Sequence, residues 1–566
     1  MEAERSYDQE LDRLWAKAWP AGMAREPHYP HGEIALSEYL RIWARLQPEK
    51  PCFVFYGREI SYRELDDLSE RFSALLAERG VGPGDRVAVF LPNCPQFAIA
   101  FFGILKRGAV HVPVNPLFRE AELAYELQDT GAVVLVGLDA LMPLVRQVQG
   151  ETRVREVFVT SFADMLPETP TLPLPEALRQ PTIACPDATP LLPALAALPA
   201  PSRLGPADLD AVAALNYTGG TTGMPKGCVH TQRDMIYTAG TSLATSFALG
   251  PDDVVLDFVP IFWIAGEDLA LVLPIVAGST TVLLARWDAE TAMRAIERYR
   301  VTCAYFLVDN AVEIMEHPKA GAFDLSSLDK VRVSSFVKKL NPDFRARWRQ
   351  LTGSTLVEAA WGMTETHTMD TFSVGFQEAD FDLHSEPVFV GLPMPGTRFK
   401  ICDFETGALL PLGQEGELCV HSPSLLKAYW NKPEASAEAL RDGWLHTGDI
   451  GRIDRDGFIH FLGRRKEMLK VRGMSVFPAE IEALLGQHPA VLGSGVVGRP
   501  DAERGQVPVA FLHLRSVDGA RPSAQDMAAW CRSTMATYKV PEIRIVDALP
   551  MTATGKVKKE ELLQIL

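Results

Sequence analysis

The apolar positions of this chain alternate between the 3.6-residue spacing of helices and short continuous runs that are typical of buried strands. Between residues 62 and 80 they recur at helical spacing, and glycines at positions 80 and 82 predict the end of this helix. An apolar run at 86–91 predicts a buried strand, residues 96–107 a helix that ends at Gly108, and residues 110–116 a further strand. Strands that alternate with helices predict a parallel sheet with crossover helices.

The alternation resumes after a proline- and alanine-rich stretch at 166–207, which we interpret as a surface excursion. Strands are predicted at 254–258, 280–284, 301–307 and 331–334, with a helix at 289–299. Residues 383–462 differ, because short apolar runs are separated by glycine-containing turns, and this pattern predicts antiparallel strands. Residues 1–50 contain three tryptophans but no pattern from which we predict an element.

The last hundred residues have a strand and helix alternation of their own. Strands are predicted at 469–471 and 491–497, and helices at 479–485 and 524–535. A highly charged run around 463–467 separates this part from the rest. We therefore predict an α/β protein with an N-terminal domain over residues 1–465 and a smaller α+β domain over 466–566.

Composition supports a folded protein of more than one domain. The chain has 566 residues, 47% hydrophobic and 23% charged, which is near the average for globular proteins and too long for one compact core. Its formal net charge of −16 argues against nucleic acid or an anionic membrane as a general partner.

Cysteine spacing and the N-terminus suggest a reducing compartment. The eight cysteines are scattered without a CxxC pair, so neither a zinc site nor a disulfide framework is expected. The chain begins with acidic residues and no apolar signal segment, and its longest apolar run is too short to span a bilayer. We expect a cytoplasmic protein, as a monomer or a homodimer.

The stretch with the clearest chemistry is residues 217–227, which contain four glycines, three threonines and one lysine after an apolar strand. Glycines let backbone N–H groups approach an anion, threonine hydroxyls add donors, and lysine adds a positive charge. A flexible surface loop is the alternative, but Pro225 stiffens this one. The lysine is followed by Gly227 instead of Ser or Thr, so this is not the P-loop of nucleotide hydrolases. We interpret the stretch as a phosphate-binding loop.

Four later stretches resemble, together with this loop, the motifs of the adenylate-forming superfamily, in its acyl-CoA synthetase branch. They are Trp361–Gly362–Met363–Thr364–Glu365, residues 444–449 ending in Asp449, residues 463–473 including Arg464, and residues 549–556 ending in Lys556. Taken singly, each has an ordinary structural explanation, such as a core tryptophan, a turn aspartate or a solvated charge run. Five motifs in order over about 340 residues are specific to the family.

The resemblance implies a fold and a reaction. Members have a large N-terminal domain of stacked α/β subdomains with a strand-rich third one, and a small mobile C-terminal domain. They join a carboxylic acid to ATP with Mg²⁺, giving acyl-adenylate and pyrophosphate, and then transfer the acyl group to CoA after the small domain has rotated. The leading hypothesis is an acid–CoA ligase for a medium- or long-chain fatty acid.

The resemblance also implies the roles of individual residues. ATP or AMP would be bound by the loop and by the later motifs, at Thr218, Gly219, Gly220, Thr221, Thr222, Gly223, Lys226, Trp361, Gly362, Thr364, Asp449, Arg464 and Lys556. Trp361 would stack on adenine, Glu365 would bind Mg²⁺ and Asp449 would accept both ribose hydroxyls. Thr364, Glu365 and Lys556 would be catalytic. Lys466 would be the hinge, and Lys470 and Gly473 would lie on the face used for thioester formation.

The sequence departs from the family pattern around the acid. Trp263 stands where a histidine is usual, Asp309 where a proline is usual, and residues 334–340 replace a segment of small residues. Trp263 and Phe336 would close the acid tunnel and favour a short acid, whereas Asp309 with Lys338 or Lys339 would suit a polar acid of the kind taken by carnitine-type CoA ligases. Alternatively, these side chains face solvent.

Two further functions remain as alternatives. The acyl group could be transferred to a carrier protein, or the chain could be a nucleotide-binding pseudoenzyme, although Lys556, Glu365 and Asp449 argue against the latter. The substrates expected are a small carboxylic acid, ATP and CoA.

Overall fold

The computed structural model of the protein describes residues 2–198, 205–218, 224–359, 361–385, 388–471, 474–501, 504–517, 520–552 and 555–566. Within these ranges the strands form four sheets. We call the part that carries the first three sheets the large domain, and the part that carries the fourth the small domain.

The first two sheets have the parallel strands that the sequence predicts, each with one antiparallel edge pair. The first sheet has the order Thr189–Pro190, Glu156–Thr160, Val134–Leu138, Arg86–Phe90, Val110–Pro113, Val212–Tyr217 and Gly227–Thr231. The second has the order Val357–Glu358, Lys330–Ser334, Cys303–Leu307, Val254–Asp257, Thr280–Leu283, Pro51–Phe55 and Arg58–Ser61. The predicted strands within both sheets are confirmed to within a few residues at their ends.

The third sheet is antiparallel, as expected for residues 383–462. Its order is Thr371–Phe372, Phe389–Pro393, Ile459–Arg464, Trp444–Ile453, Gly416–His421 and Arg398–Cys402, and Leu440–Arg441 pairs with Trp444–Ile453. The fourth sheet has the order Met474–Val476, Leu469–Val471, Gly505–Leu514 and Val491–Asp501, and Glu542–Val546 pairs with Gly505–Leu514. A 3₁₀ turn at Arg465–Glu467 connects the third sheet to the fourth. The division at residues 465 and 466 stays a prediction.

Helices pack between and around the sheets. In the large domain they are Glu2–Ala18, Leu36–Leu46, Tyr62–Glu78, Pro95–Arg107, Glu120–Thr130, Met142–Gln149, Leu191–Ala197, Gln232–Ala244, Ile264–Glu267, the π-helix Asp268–Val272, Leu273–Ala277, Ala289–Tyr299, Val308–Glu316, Pro342–Thr352, Phe381–His384 and Pro433–Ala439. In the small domain they are Pro478–Leu485, Ala524–Thr534 and Lys559–Gln564. No helix in the described ranges combines the length and apolarity needed to cross a bilayer.

The largest apolar core joins the first two sheets, and the helices Tyr62–Glu78 and Pro95–Arg107 lie within it. The second of these helices is buried along almost its whole length and ends at Gly108, whose φ of +72° ends it in a left-handed turn. The N-terminal helix Glu2–Ala18 packs through Tyr7, Leu11 and Trp15 onto a separate core built on the third sheet. Sequence reasoning missed this helix because only one narrow face of it is apolar.

Candidate active site

The predicted phosphate-binding loop connects two antiparallel edge strands of the first sheet. Tyr217 and Gly227 are direct partners at its base, and a Cβ on Gly227 would lie only 2.9 Å from the Tyr217 ring. The Thr218 amide donates a hydrogen bond to the carbonyl oxygen of Lys226 at 3.0 Å. Gly219, Gly220, Thr221, Thr222 and Gly223 lie outside the described residues. The two strands thus fix where the loop begins and ends.

One tyrosine links the lysine of this loop to the carboxylate predicted to bind Mg²⁺. Lys226 Nζ lies 4.1 Å from the centre of the Tyr429 ring, and the Tyr429 hydroxyl donates to Glu365 Oε1 at 2.8 Å. Burial, followed by the Glu365 charge, raises the pKa of Tyr429, so it remains a donor. The hydrogen bond orients the carboxylate and uses one of its oxygens, so the other can ligate a hard cation such as Mg²⁺. Sequence reasoning missed Tyr429, which belongs to none of the five motifs.

The turn that follows Trp361 depends on a glycine. A Cβ on Gly362 would overlap the carbonyl oxygen of Thr368, so only glycine fits against this turn. Thr364 begins a short 3₁₀ helix, and its carbonyl oxygen lies 2.8 Å from His230 Nε2. The buried imidazole of His230, which comes from the strand after the phosphate loop, therefore ties that strand to the Thr364–Glu365 turn.

Three of the predicted nucleotide-binding residues lie together. Asp449 and Arg464 come from two strands of the third sheet, and Trp361 comes from the turn before that sheet. The Trp361 indole donates to Asp449 Oδ2 at 3.0 Å, and Arg464 Nε lies 3.3 Å from Asp449 Oδ1. Asp449 and Arg464 are direct partners on neighbouring strands. Burial raises the pKa of Asp449 to about 6, against the opposing effects of Arg464 and the Trp361 hydrogen bond. A buried carboxylate with these neighbours has the acceptors that a ribose diol requires.

The loop that carries Lys556 is a tight hairpin of the small domain that reaches the large domain. The Thr552 amide donates to the Lys556 carbonyl oxygen at 2.7 Å, and the Lys556 amide donates to Thr552 Oγ1 at 3.0 Å. Gly555 has a φ of +77°, and a Cβ there would lie 2.8 Å from Leu307 Cδ1. The loop therefore needs glycine at this position both for its turn and for its approach to the second sheet.

Lys556 Nζ lies 5.1 Å from the centre of the Phe336 ring. The side chain keeps contact with solvent, yet the surrounding protein, and then the charge of Arg464, lower its pKa. Asp449 acts on it in the opposite direction. The lysine of the small domain and the buried carboxylate of the large domain thus face the same cleft.

The predicted hinge and thioester residues lie elsewhere in the small domain or at its boundary. Lys466 is exposed within the 3₁₀ turn Arg465–Glu467. Lys470 is exposed on the strand Leu469–Val471, and its backbone amide donates to Gln506 Oε1 at 2.8 Å. Gly473 lies outside the described residues.

Two of the three residues predicted for the acid pocket, Trp263 and Asp309, each contact neighbours within the large domain. Trp263 precedes the helix Ile264–Glu267 and packs edge-on against Phe262 at a centroid distance of 5.0 Å, half-buried against the main core. Asp309 accepts a hydrogen bond from the Lys338 amide at 3.3 Å, and its Oδ1 lies 3.4 Å from Lys338 Nζ. The charge of Asp309 is thus paired within the protein.

The third, Phe336, belongs to a segment that lines a cavity between the two domains. The cavity has a volume of about 580 Å³, and its walls include Phe336, Glu358 and Trp361 from the large domain and Glu480 and Arg515 from the small domain. Phe336 thus faces both this cavity and Lys556.

Comparisons with known proteins show the family of this chain. The model of the AMP-binding enzyme family matches residues 40–430, and that of the AMP-binding enzyme C-terminal domain matches residues 480–556. A long-chain-fatty-acid–CoA ligase of Bacillus subtilis is 31% identical over 562 residues, or 97% of each chain, and one of Escherichia coli O157:H7 is 30% identical over 98% of each chain. A 4-coumarate–CoA ligase of Pinus taeda is 29% identical over 91% of each chain.

Solved structures of the same kind superpose on most of the chain. An anthranilate CoA ligase in complex with anthranoyl-AMP has a TM-score of 0.81 at 26% identity, covering 95% of this chain and 98% of its own. ATP-bound MatB from Rhodopseudomonas palustris has a TM-score of 0.77 at 26% identity, covering 93% and 98%. The chain therefore belongs to the AMP-binding enzyme family, in the acyl-CoA synthetase branch of the adenylate-forming superfamily.

Proposed function

We propose that this AMP-forming acid–CoA ligase activates an aliphatic carboxylic acid, with a medium- or long-chain fatty acid as its substrate. In the first half-reaction the acid carboxylate attacks the α-phosphate of ATP, giving acyl-AMP and pyrophosphate. In the second, the CoA thiol displaces AMP and gives acyl-CoA. The observation that carries the proposal is the position of Lys556, which faces the same cleft as Asp449 and Trp361.

The residues of this cleft suit the first half-reaction. Asp449 accepts the ribose hydroxyls, and Arg464 and the Trp361 indole keep it ionised. Lys226 and the Thr218 end of the loop bind phosphate oxygens, as does Thr364. The Lys556 ammonium stabilises the negative charge that builds up on the α-phosphate during attack.

Mg²⁺ would be held by Glu365 and would neutralise phosphate charge in the same step. Tyr429 contributes by fixing the orientation of that carboxylate and by holding Lys226 against its ring.

The second half-reaction requires a different arrangement of the small domain. We assign the arrangement described above to adenylation, since Lys556 occupies the cleft while Lys470 is exposed elsewhere. Rotation about Lys466 would withdraw Lys556 and bring the face of Lys470 and Gly473 to the acyl-adenylate.

The paired charges around residue 338 favour an aliphatic acid over a polar one. Asp309 is paired with Lys338, and Lys339 Nζ donates to the Ser335 carbonyl oxygen at 2.8 Å. These groups are therefore engaged by the protein itself, whereas a polar acid would need a charged partner that the protein leaves open. The relatives named as long-chain-fatty-acid–CoA ligases support the same choice of acid.

The test is ATP-dependent pyrophosphate release across a panel of short, branched, hydroxylated, aromatic, medium- and long-chain acids, each with and without CoA. We expect sustained release only with CoA and with an aliphatic acid of medium or long chain. Sustained release that is indifferent to CoA would point to a carrier protein as the acceptor. A preference for a hydroxylated or aromatic acid would overturn the choice of substrate, and no release with any acid would favour a pseudoenzyme.

A further inference from the structure

Two neighbouring strands of the third sheet bring together a glutamate, a cysteine and a histidine. Cys419 on Gly416–His421 is the direct partner of His446 on the adjacent strand. Glu417 and Cys419 are two residues apart on one strand, so their side chains lie on the same face. Glu417, Cys419 and His446 therefore form one cluster.

The distances within the cluster are those of groups that can share one ion. The sulfur of Cys419 lies 3.5 Å from His446 Nδ1, and Glu417 Oε2 lies 2.7 Å from the same nitrogen. One ligand atom from each of these residues lies within 4.8 Å of the others. Tetrahedral zinc with ordinary Zn–S and Zn–N bond lengths separates sulfur from nitrogen by about 3.5 Å. Zinc can thus take the place of the proton between His446 and Glu417, after these two groups move apart by about 0.7 Å.

Water would complete the coordination of such an ion, because three protein donors leave one position of a tetrahedral zinc open. Cys402 lies beside the cluster, as the direct partner of Glu417.

Burial and charge also suit a bound cation. Cys419 is buried, while the side chains of His446 and Glu417 are each 11% exposed and give an ion a path from solvent. One thiolate and one carboxylate would balance the two positive charges of Zn²⁺.

The cluster is connected to the nucleotide residues through the strand that bears His446. This strand has extra residues opposite Glu417, and the amide of Gly448 there donates to Glu417 Oε1 at 3.0 Å. Gly448 immediately precedes Asp449, whose amide donates to Thr447 Oγ1 at 3.0 Å. An ion that fixes Glu417 and His446 would also fix the backbone that presents Asp449.

We propose that Glu417, Cys419 and His446 form a Zn²⁺ site that holds the strand of the ribose-binding carboxylate in place. The metal site stands on the cluster alone, while its effect on nucleotide binding rests on the function proposed above.

The test measures metal binding in the full-length chain without ATP, so that it is independent of catalysis. After incubation with Zn²⁺ and dialysis, we expect about one zinc per chain by elemental analysis. Substitution by Co²⁺ should give a thiolate-to-cobalt charge-transfer band. The band should be lost in Cys419→Ser and be unchanged in Cys185→Ser, which removes the half-exposed cysteine of the first-sheet region.

A second measurement uses the unmutated chain, since a buried serine can destabilise the fold. Removal of zinc by a chelator should lower the melting temperature and raise the ATP concentration needed for half-maximal binding about threefold, and added Zn²⁺ should restore both. Chains that retain no zinc after dialysis, a cobalt spectrum without a thiolate band, or a Cys402–Cys419 disulfide found by mass spectrometry would overturn the proposal. Loss of zinc binding without any effect on ATP would overturn only its connection to Asp449.

Discussion

The cleft has two sides, which we call the nucleotide side (Trp361, Asp449 and Arg464) and the acid side (residues 334–340). Two residues of the nucleotide side contact the third, whereas residues of the acid side contact the small domain. On the nucleotide side, Trp361 and Arg464 both contact Asp449, and Lys556 faces them from the small domain. On the acid side, the segment 334–340, which departs from the family pattern, packs against the small domain.

Two contacts show what this segment does. A Cβ on Gly493 of the small domain would lie 3.9 Å from Val337 Cβ and still closer to one of its methyl groups, and a Cβ on Gly486 would lie 2.5 Å from Lys339 Cβ. Asn341 Nδ2 also donates to the Gly486 carbonyl oxygen at 3.4 Å. The bulkier side chains are thus matched by glycines on the other domain. The difference between the two sides shows that a segment can depart from its family pattern and form a contact with a second domain.

The largest effect is expected from removing Lys556, the lysine of the small domain that faces the nucleotide side of the cleft. Lys556→Ala should slow pyrophosphate formation at least about 100-fold, because it removes the positive charge that stabilises the negative charge developing on the α-phosphate. Thioester formation from supplied acyl-adenylate and CoA should change less than about threefold. Rapid-quench assays of each half-reaction measure both rates.

Lys558→Ala is the matched control for this variant. Lys558 lies on the same loop, two residues away, and is paired with Glu561 at the surface. We expect it to leave both half-reactions near wild-type rates. Equal losses in the two half-reactions of Lys556→Ala would contradict the assignment of this arrangement to adenylation.

Removing the hydrogen bond between Trp361 and Asp449 should have a smaller effect, a pH-dependent rise in the KM for ATP. Because the pKa of Asp449 is about 6, the carboxylate becomes protonated as pH falls through that value, and the KM for ATP should rise. Trp361→Phe keeps an aromatic ring but loses a hydrogen bond to a charged group, worth about 1.5–3 kcal/mol. Its KM for ATP should rise about tenfold at neutral pH, and the pH midpoint should move up by about one unit.

Trp287→Phe provides the control, since Trp287 also donates to a carboxylate, Glu313, but at the surface of the large domain. Its KM should follow the wild-type pH profile, which includes the titration of ATP itself. If the pH profile of KM in Trp361→Phe coincides with those of the wild type and Trp287→Phe, this hydrogen bond does not hold Asp449 ionised.

The smallest effect is expected on the acid side, at the docking contact. Gly493→Ala places a methyl group against Val337, at a cost of about 1 kcal/mol in this arrangement of the domains. Adenylation should slow about 3- to 10-fold, while thioester formation should not slow. Gly321→Ala, where a Cβ would meet nothing within 4 Å, is the control and should leave both rates unchanged. A slower second half-reaction in Gly493→Ala would indicate general damage to the small domain.

Much of the fold could be predicted from the sequence, because changes in the spacing of apolar residues, together with glycines, indicate where elements begin and end. The helix that ends at Gly108 is one example. The motifs also indicate Trp361, Asp449 and Lys556, since residues that bind one nucleotide must keep fixed chemistry. Their contacts with each other could not be predicted from the sequence, because they depend on how the third sheet and the small domain are placed.

What the sequence did not indicate has a common physical cause. Tyr429 lies outside every motif, and Cys419 and His446 are 27 positions apart, so only strand register brings these two together. The same holds for Val337, whose partner Gly493 belongs to the other domain. Interactions set by register and by domain packing leave no periodic or local signal in the chain.

The most direct test is to lock the two domains together. The Cβ separation of 3.9 Å between positions 337 and 493 is within the range of a disulfide, so Val337→Cys with Gly493→Cys, in a Cys185→Ser background, should form one on mild oxidation. We predict that the oxidised enzyme releases about one pyrophosphate per chain, retains acyl-AMP and makes no acyl-CoA, and that a reductant restores turnover. Sustained acyl-CoA synthesis by the oxidised enzyme, or no pyrophosphate burst from it, would contradict the account.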